Sequence, residues 1–269
     1  MCRHILAAAL LLQGIIGSRP PALAADATGA WGDLALRVVF DGDKLPQPKP
    51  VSAAAGVMFC GGVKELLTDD LLVNPKDRGV ANVFVYLYEE AAEISIHPQY
   101  SASAKKEAVM ANRGCAFVPK AIAMRLSQTF VGTNPDPVGH NMQLNSFDNP
   151  SFNLAVPAGG KITNVFKVAE IAPLPVRCTS HTWMAGFVLV RGDPYAGVTD
   201  ASGRVKLGNL PVGKWKFRIW HERCGFVTKA TIGGKAVEWP RGRVEWEIKP
   251  GANDLGELLI KPAVFKEKE

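Results

Sequence analysis

Lys214-Trp215-Lys216-Phe217-Arg218-Ile219-Trp220 alternates charge with bulk, residue by residue. That period of two is the pattern of a strand with one face in a core and the other in water. Val244-Glu245-Trp246-Glu247-Ile248 repeats it, and Leu34-Ala35-Leu36-Arg37-Val38-Val39-Phe40 runs into the turn signal Asp41-Gly42-Asp43. Val80 to Tyr88 is rich in β-branched and aromatic residues, and Gly186 to Val190 is almost wholly apolar. Proline-rich stretches such as Leu45-Pro46-Gln47-Pro48-Lys49-Pro50 punctuate these runs. Only Ser103 to Met110 suggests a short helix. The expected fold class is all-β, built as two sandwiches.

The chain has 269 residues, 47% hydrophobic and 21% charged, with 26 Gly and 19 Pro. Turn residues are plentiful but follow no repeat, which excludes collagen-like, coiled-coil and wholly disordered classes. Lys and Arg are scattered, so the net charge of +6 argues against a nucleic-acid partner. Met1 to Ala24 has the form of an export signal. Arg3 precedes an apolar run, Ile5 to Ile16, broken only by Gln13 and Gly14, and Ala22-Leu23-Ala24 offers a small-x-small cleavage site. The run is too short to span a bilayer, and no other stretch approaches about 18 apolar residues. The mature chain is therefore expected in the periplasm or cell envelope, without a membrane span. It would lose Arg3 and Arg19, and its charge would fall to +4. Cys60, Cys115, Cys178 and Cys224 would remain, in a compartment where disulfides persist.

The turn cluster Arg191-Gly192-Asp193-Pro194 marks a boundary. The expected division is an export signal at 1–24, an N-terminal β extension at 25–79 packing on the first sandwich, that sandwich at 80–191, a smaller sandwich at 192–262, and a solvated charged tail at 263–269.

The chemistry concentrates in Cys178-Thr179-Ser180-His181-Thr182-Trp183-Met184, where thiolate, imidazole and thioether recur every third residue. A second imidazole, His140, lies upstream in Asn134-Pro135-Asp136-Pro137-Val138-Gly139-His140-Asn141. Two His, one Cys and one Met are the donor set of a trigonal blue-copper site with a long axial thioether. Thiolate and thioether suit Cu(I), while imidazole suits both oxidation states. A zinc site would take a second pair at similar spacing, and a binuclear copper centre a second loop cysteine; the sequence has neither.

On these residues the chain resembles the cupredoxins, the family of plastocyanin, pseudoazurin and amicyanin. Its Cys-x-x-His-x-x-Met spacing is most similar to amicyanin and pseudoazurin. The resemblance implies a Greek-key sandwich, one mononuclear type 1 copper held by His140, Cys178, His181 and Met184, and a supporting role for Asn141, whose backbone amide would reach the cysteine sulfur. It also implies single-electron transfer with a redox protein partner, and a His181 edge turned to the surface, where Trp183 would shield the metal or dock the partner. Thr199-Asp200-Ala201-Ser202-Gly203 and Leu210-Pro211-Val212-Gly213 resemble the carboxypeptidase regulatory-like domain, a transthyretin-like β-sandwich. Together the two parts are similar to exported bacterial proteins of the methylamine-utilisation or plastocyanin-like type.

Other residues compete for attention. His221-Glu222 lacks an accompanying nucleophile or second carboxylate, so His221 is expected to be a structural residue at the interface of the two modules; the copper-carrier reading carries no substrate turnover. His97 is a loop residue or a spare ligand. Cys60 and Cys115 either pair or remain two buried thiols, and Cys224 is then left over. A second reading of the chain is a cell-envelope protein whose second sandwich binds carbohydrate or protein, with copper structural, stored or absent. A third is a copper oxidase subunit or accessory factor.

Overall fold

Residues 30–51, 60, 66–88 and 94–265 are described by the structure, a computed structural model. The expected export signal and residues 266–269 of the tail lie outside them. The described chain is almost wholly β, with three short 3-10 turns. The helix expected over 103–110 does not form: a 3-10 turn occupies Pro98–Ser103, and a strand begins at Ala108.

Four sheets stack in layers, and each of the three interlayer spaces holds a hydrophobic cluster. Sheet I orders Arg204–Pro211, Trp31–Phe40, Gly251–Ile260, Lys229–Ile232 and Lys235–Glu238. Sheet II joins Ala196–Val198, Phe84–Leu87 and Gly213–His221, the last also pairing with Gly225–Phe226 and Arg243–Ile248. Leu34, Leu36, Val38, Val85, Phe217 and Ile219 fill the space between these two sheets. Sheet III orders Ala121–Arg125, Ala185–Arg191, Leu174–Arg177, His140–Leu144 and Phe152–Val156; sheet IV orders Phe117–Val118, Ala108–Asn112, Phe130–Thr133 and Lys161–Asn164. Met110, Phe130, Met142, Leu144, Val176 and Val188 pack between sheets III and IV. The all-β class and the two sandwiches match expectation.

The third cluster joins the sandwiches. Phe84 and Tyr86 from sheet II meet Phe187 and Leu189 from sheet III, with Trp220 beside them. Alternation explains why these strands read as unbroken apolar runs: one face enters its own sandwich core, the other enters this layer. The same burial reaches the charged face of Lys214–Trp220. Arg218 is 5% exposed rather than in water; its guanidinium carbon sits 3.5 Å from the centre of the Tyr88 ring, and its Nη1 donates to the Ile171 carbonyl.

The division of the chain differs from the expected one. Trp31–Phe40 pairs antiparallel with Arg204–Pro211 and parallel with Gly251–Ile260, so it belongs to the second sandwich rather than packing on the first. Phe84–Leu87 pairs with Ala196–Val198 and Gly213–His221, so the boundary expected at residue 80 moves as well. Alternation identifies a strand without naming its partner, and both partners lie more than a hundred residues away. Most of the second sandwich does follow the first in sequence. With its two early strands it has two five-stranded sheets, against five and four in the other, and is not the smaller. The first sandwich is therefore an insertion, entered after Tyr88 and left before Ala196.

Candidate metal centre

The ligand stretch is the loop of a hairpin. Leu174–Arg177 and Ala185–Arg191 pair antiparallel with Arg177 opposite Ala185, which sets Cys178 and Met184 facing each other at the loop base. The Cys178 N–H points to the Met184 carbonyl at 3.5 Å, and the Met184 N–H donates to the His181 carbonyl at 2.8 Å, closing the tip. On the other side, Leu174–Arg177 pairs with His140–Leu144, so His140 opens its strand next to this loop. Three donor atoms converge here. His140 Nδ1 and His181 Nδ1 are 3.1 Å apart, and Cys178 Sγ lies 3.8 Å and 3.5 Å from them.

His140 is 4% exposed and Cys178 and Met184 are each 1% exposed, whereas His181 is half-buried. Met184 belongs to the same hydrophobic cluster as Cys178. Asn141 ties the arrangement down. Its Oδ1 accepts from the Thr179 N–H at 2.8 Å and hydroxyl at 2.9 Å and lies 3.3 Å from Cys178 Sγ, while its Nδ2 donates to Asn153 Oδ1. Asn141 thus anchors Thr179 through its side chain, while its backbone is what favours a charged Cys178 sulfur.

Sequence reasoning missed Asp136. Its Oδ2 lies 3.0 Å from His140 Nε2, and its two oxygens accept the N–H groups of Gly114 and Cys115. A carboxylate only accepts, so Nε2 carries the proton and the lone pair of a neutral ring is left on Nδ1, the atom facing the site. The signal that could have revealed it is a carboxylate four residues before the histidine, in the turn Asp136-Pro137-Val138-Gly139.

Burial pushes the Cys178 thiol up, but contacts with His140, Asn141 and His181 outweigh it and bring the thiol down to about 6. Burial alone would lower the His140 imidazole; Cys178 and Asp136 outweigh that and hold it above its ordinary value. Bonds of about 2.0 Å to nitrogen and about 2.3 Å to sulfur at trigonal or tetrahedral angles separate donors by roughly 3.3–3.7 Å. The three separations found here lie close to that span, and the donor types are those that suit copper.

The remaining candidates fall elsewhere or beside the site. Cys60 and Cys115 form a disulfide with Cα atoms 5.7 Å apart. Trp183 donates from Nε1 to the Cys115 carbonyl at 3.1 Å, and its ring stands 5.2 Å from that of His181. His97 accepts the Gln99 N–H and meets the Trp31 ring edge-on, away from the centre. His221 is buried against Phe265 in the second sandwich.

No family model matches the chain, and no curated protein matches it by sequence. Solved structures similar to parts of it include a purple cupredoxin from Nitrosopumilus maritimus, 23% identical over 31% of this chain and 98% of that one, TM-score 0.27. A copper-containing nitrite reductase from Thermus scotoductus is 16% identical over 39% of this chain and 25% of its own, TM-score 0.28. An amicyanin variant in the Cu(I) state is 16% identical over 32% of this chain and 82% of its own, TM-score 0.29.

Proposed function

We propose that this chain is an exported carrier of single electrons, with one mononuclear type 1 copper held by Cys178, His140, His181 and Met184. The observation that carries the reading is the convergence of two imidazole nitrogens and one cysteine sulfur within 4.8 Å. A bound copper would supply a Cu(II)/Cu(I) couple, taking up and giving back one electron.

The protein's own residues prepare that exchange. Cys178 offers a thiolate at neutral pH, because its partners bring it to about 6. Asp136 holds the His140 proton on Nε2 and keeps Nδ1 turned to the sulfur. Asn141 fixes Thr179, the neighbour of Cys178, through its N–H and hydroxyl, so the loop changes little when charge moves. Burial of His140 and Cys178 excludes water from the donors, and His181 alone among the three reaches the surface. An electron would therefore pass through the His181 edge to a redox protein partner, without turnover of a substrate. Among the described residues no helix is long and apolar enough to cross a membrane.

The test adds Cu(II) to the chain and looks for the intense visible absorption of a copper–thiolate bond. The wild type should colour and Cys178→Ser should stay colourless. A colourless wild type holding one copper per chain would end this reading. The second reading, a cell-envelope binding protein, draws support from a groove of about 480 Å³ on sheet I lined by Arg37, Arg204, Lys206, Asp254 and Glu257. Its mix of charges suits a polar ligand such as a carbohydrate. Binding of soluble polysaccharide by a copper-free chain, lost in Arg204→Ala, would favour it.

A further inference from the structure

The disulfide Cys60–Cys115 has no part in the electron-carrier reading, yet it lies against both imidazoles. Its two sulfurs and one ring nitrogen of His181 fall within 4.8 Å of one another, and so do the Cys115 sulfur, one Asp136 oxygen and one His140 nitrogen. Both cysteines are 1% exposed. A disulfide sulfur is a poor ligand, because its lone pairs carry no net charge; a thiolate is a strong and soft one. Breaking the bond would place two soft donors beside an imidazole. Such a set selects Cu(I) over harder cations.

We propose that the reduced pair, Cys60 and Cys115, joins His181 in a second site for Cu(I) that adjoins the first. The reductant is a dithiol. The Cys60–Cys115 bond breaks, an S–S bond forms in the reductant, and the reductant's two thiol protons pass to Cys60 and Cys115. Those two protons leave again when the thiolates bind Cu(I). Access is built in: Cys115 lines a cavity of about 370 Å³ together with Lys120, Asp69, Trp183 and Met184. The two sites differ in what switches them. The first is complete when the disulfide is intact, whereas the second exists only after two electrons have entered it.

The experiment uses the full chain with C2S, C178S and C224S, which leaves Cys60 and Cys115 as its only cysteines. The probe is Cu(I) alone, held against a coloured Cu(I) chelator without oxygen. It is applied to the oxidised chain and to the chain reduced by a dithiol that is then removed by gel filtration. Reduction should raise retention about 100-fold, to one Cu(I) per chain, and X-ray absorption should count two sulfur neighbours. Adding H181A should lower retention roughly tenfold. Equal retention before and after reduction would overturn the proposal. So would retention indifferent to H181A, which is what two thiols on a loosened chain would give. Blue absorption of the wild type is a separate measurement, so this proposal and the type 1 reading can fail independently.

Discussion

Two turns of this protein carry the same pair of residue types at the same spacing. Cys178-Thr179-Ser180-His181 leaves a strand of sheet III, and His221-Glu222-Arg223-Cys224 leaves a strand of sheet II. In the first, the sulfur and ring nitrogen face each other at 3.5 Å and a second imidazole arrives from the neighbouring strand. In the second, His221 accepts the Arg223 N–H on Nδ1 and meets Phe265 edge-on, while the Cys224 sulfur donates to the Gly225 carbonyl. The chemistry diverges accordingly. Partners pull the Cys178 thiol down to about 6, and burial pushes the Cys224 thiol up to about 12. Spacing nominates donors; convergence of strands makes a site.

The largest contrast to test is that titration. In metal-free protein carrying C2S, ultraviolet thiolate absorbance should show a step near pH 6, belonging to Cys178 and absent in Cys178→Ser. Cys224 should stay protonated beyond pH 10, a roughly hundred-thousand-fold difference in thiolate population at neutral pH. The stability sign follows. A thiol whose folded value lies below its ordinary 9.0 contributes stability that is complete above that value and lost as pH falls through about 6. Cys224 contributes in the opposite window, fully below 9.0 and lost as pH rises through about 12. A single thiol step above pH 9 would erase the contrast.

Next in size, Cys178→Ser should weaken copper binding by more than about 100-fold in a chelator competition, while Cys224→Ser leaves it unchanged. An equal loss in both would mean that the second turn, too, holds metal. A smaller effect is expected of Asp136→Asn. The amide no longer fixes the proton on His140 Nε2, and copper affinity should drop by roughly 10–100-fold with the fold intact by circular dichroism. Smallest of all, Cys224→Ala should change the unfolding free energy from urea titration by less than about 1 kcal/mol, because it removes one weak sulfur hydrogen bond and little volume.

How much of this was legible beforehand depends on how local the signal is. Cys178, His181 and Met184 share one hairpin loop, so their spacing alone placed them together. His140 was legible through its residue type and the Asn141 that follows it. Asp136 was not, because a carboxylate in a proline turn reads as loop chemistry until its histidine is seen to fold back over it. The strand at 31–40 was plain from alternation, but its parallel partner at 251–260 is unknowable from pattern, since either sandwich could bury the same apolar stripe. Val83 to Leu87, bulky and aromatic or aliphatic at every position, is the pattern of a strand covered on both faces, and here it lies between two layers.

The pairing of Trp31–Phe40 with Gly251–Ile260 has a mechanical consequence. These outermost long strands run parallel and side by side, so tension applied through the two ends of the chain would slide one along the other. All their ladder bonds would then be loaded together instead of unzipping one at a time. The inserted sandwich, leaving and returning through the middle of the chain, lies off that load path. A stretched molecule would keep its His140, Cys178 and His181 cluster slack until the clamp itself gave way.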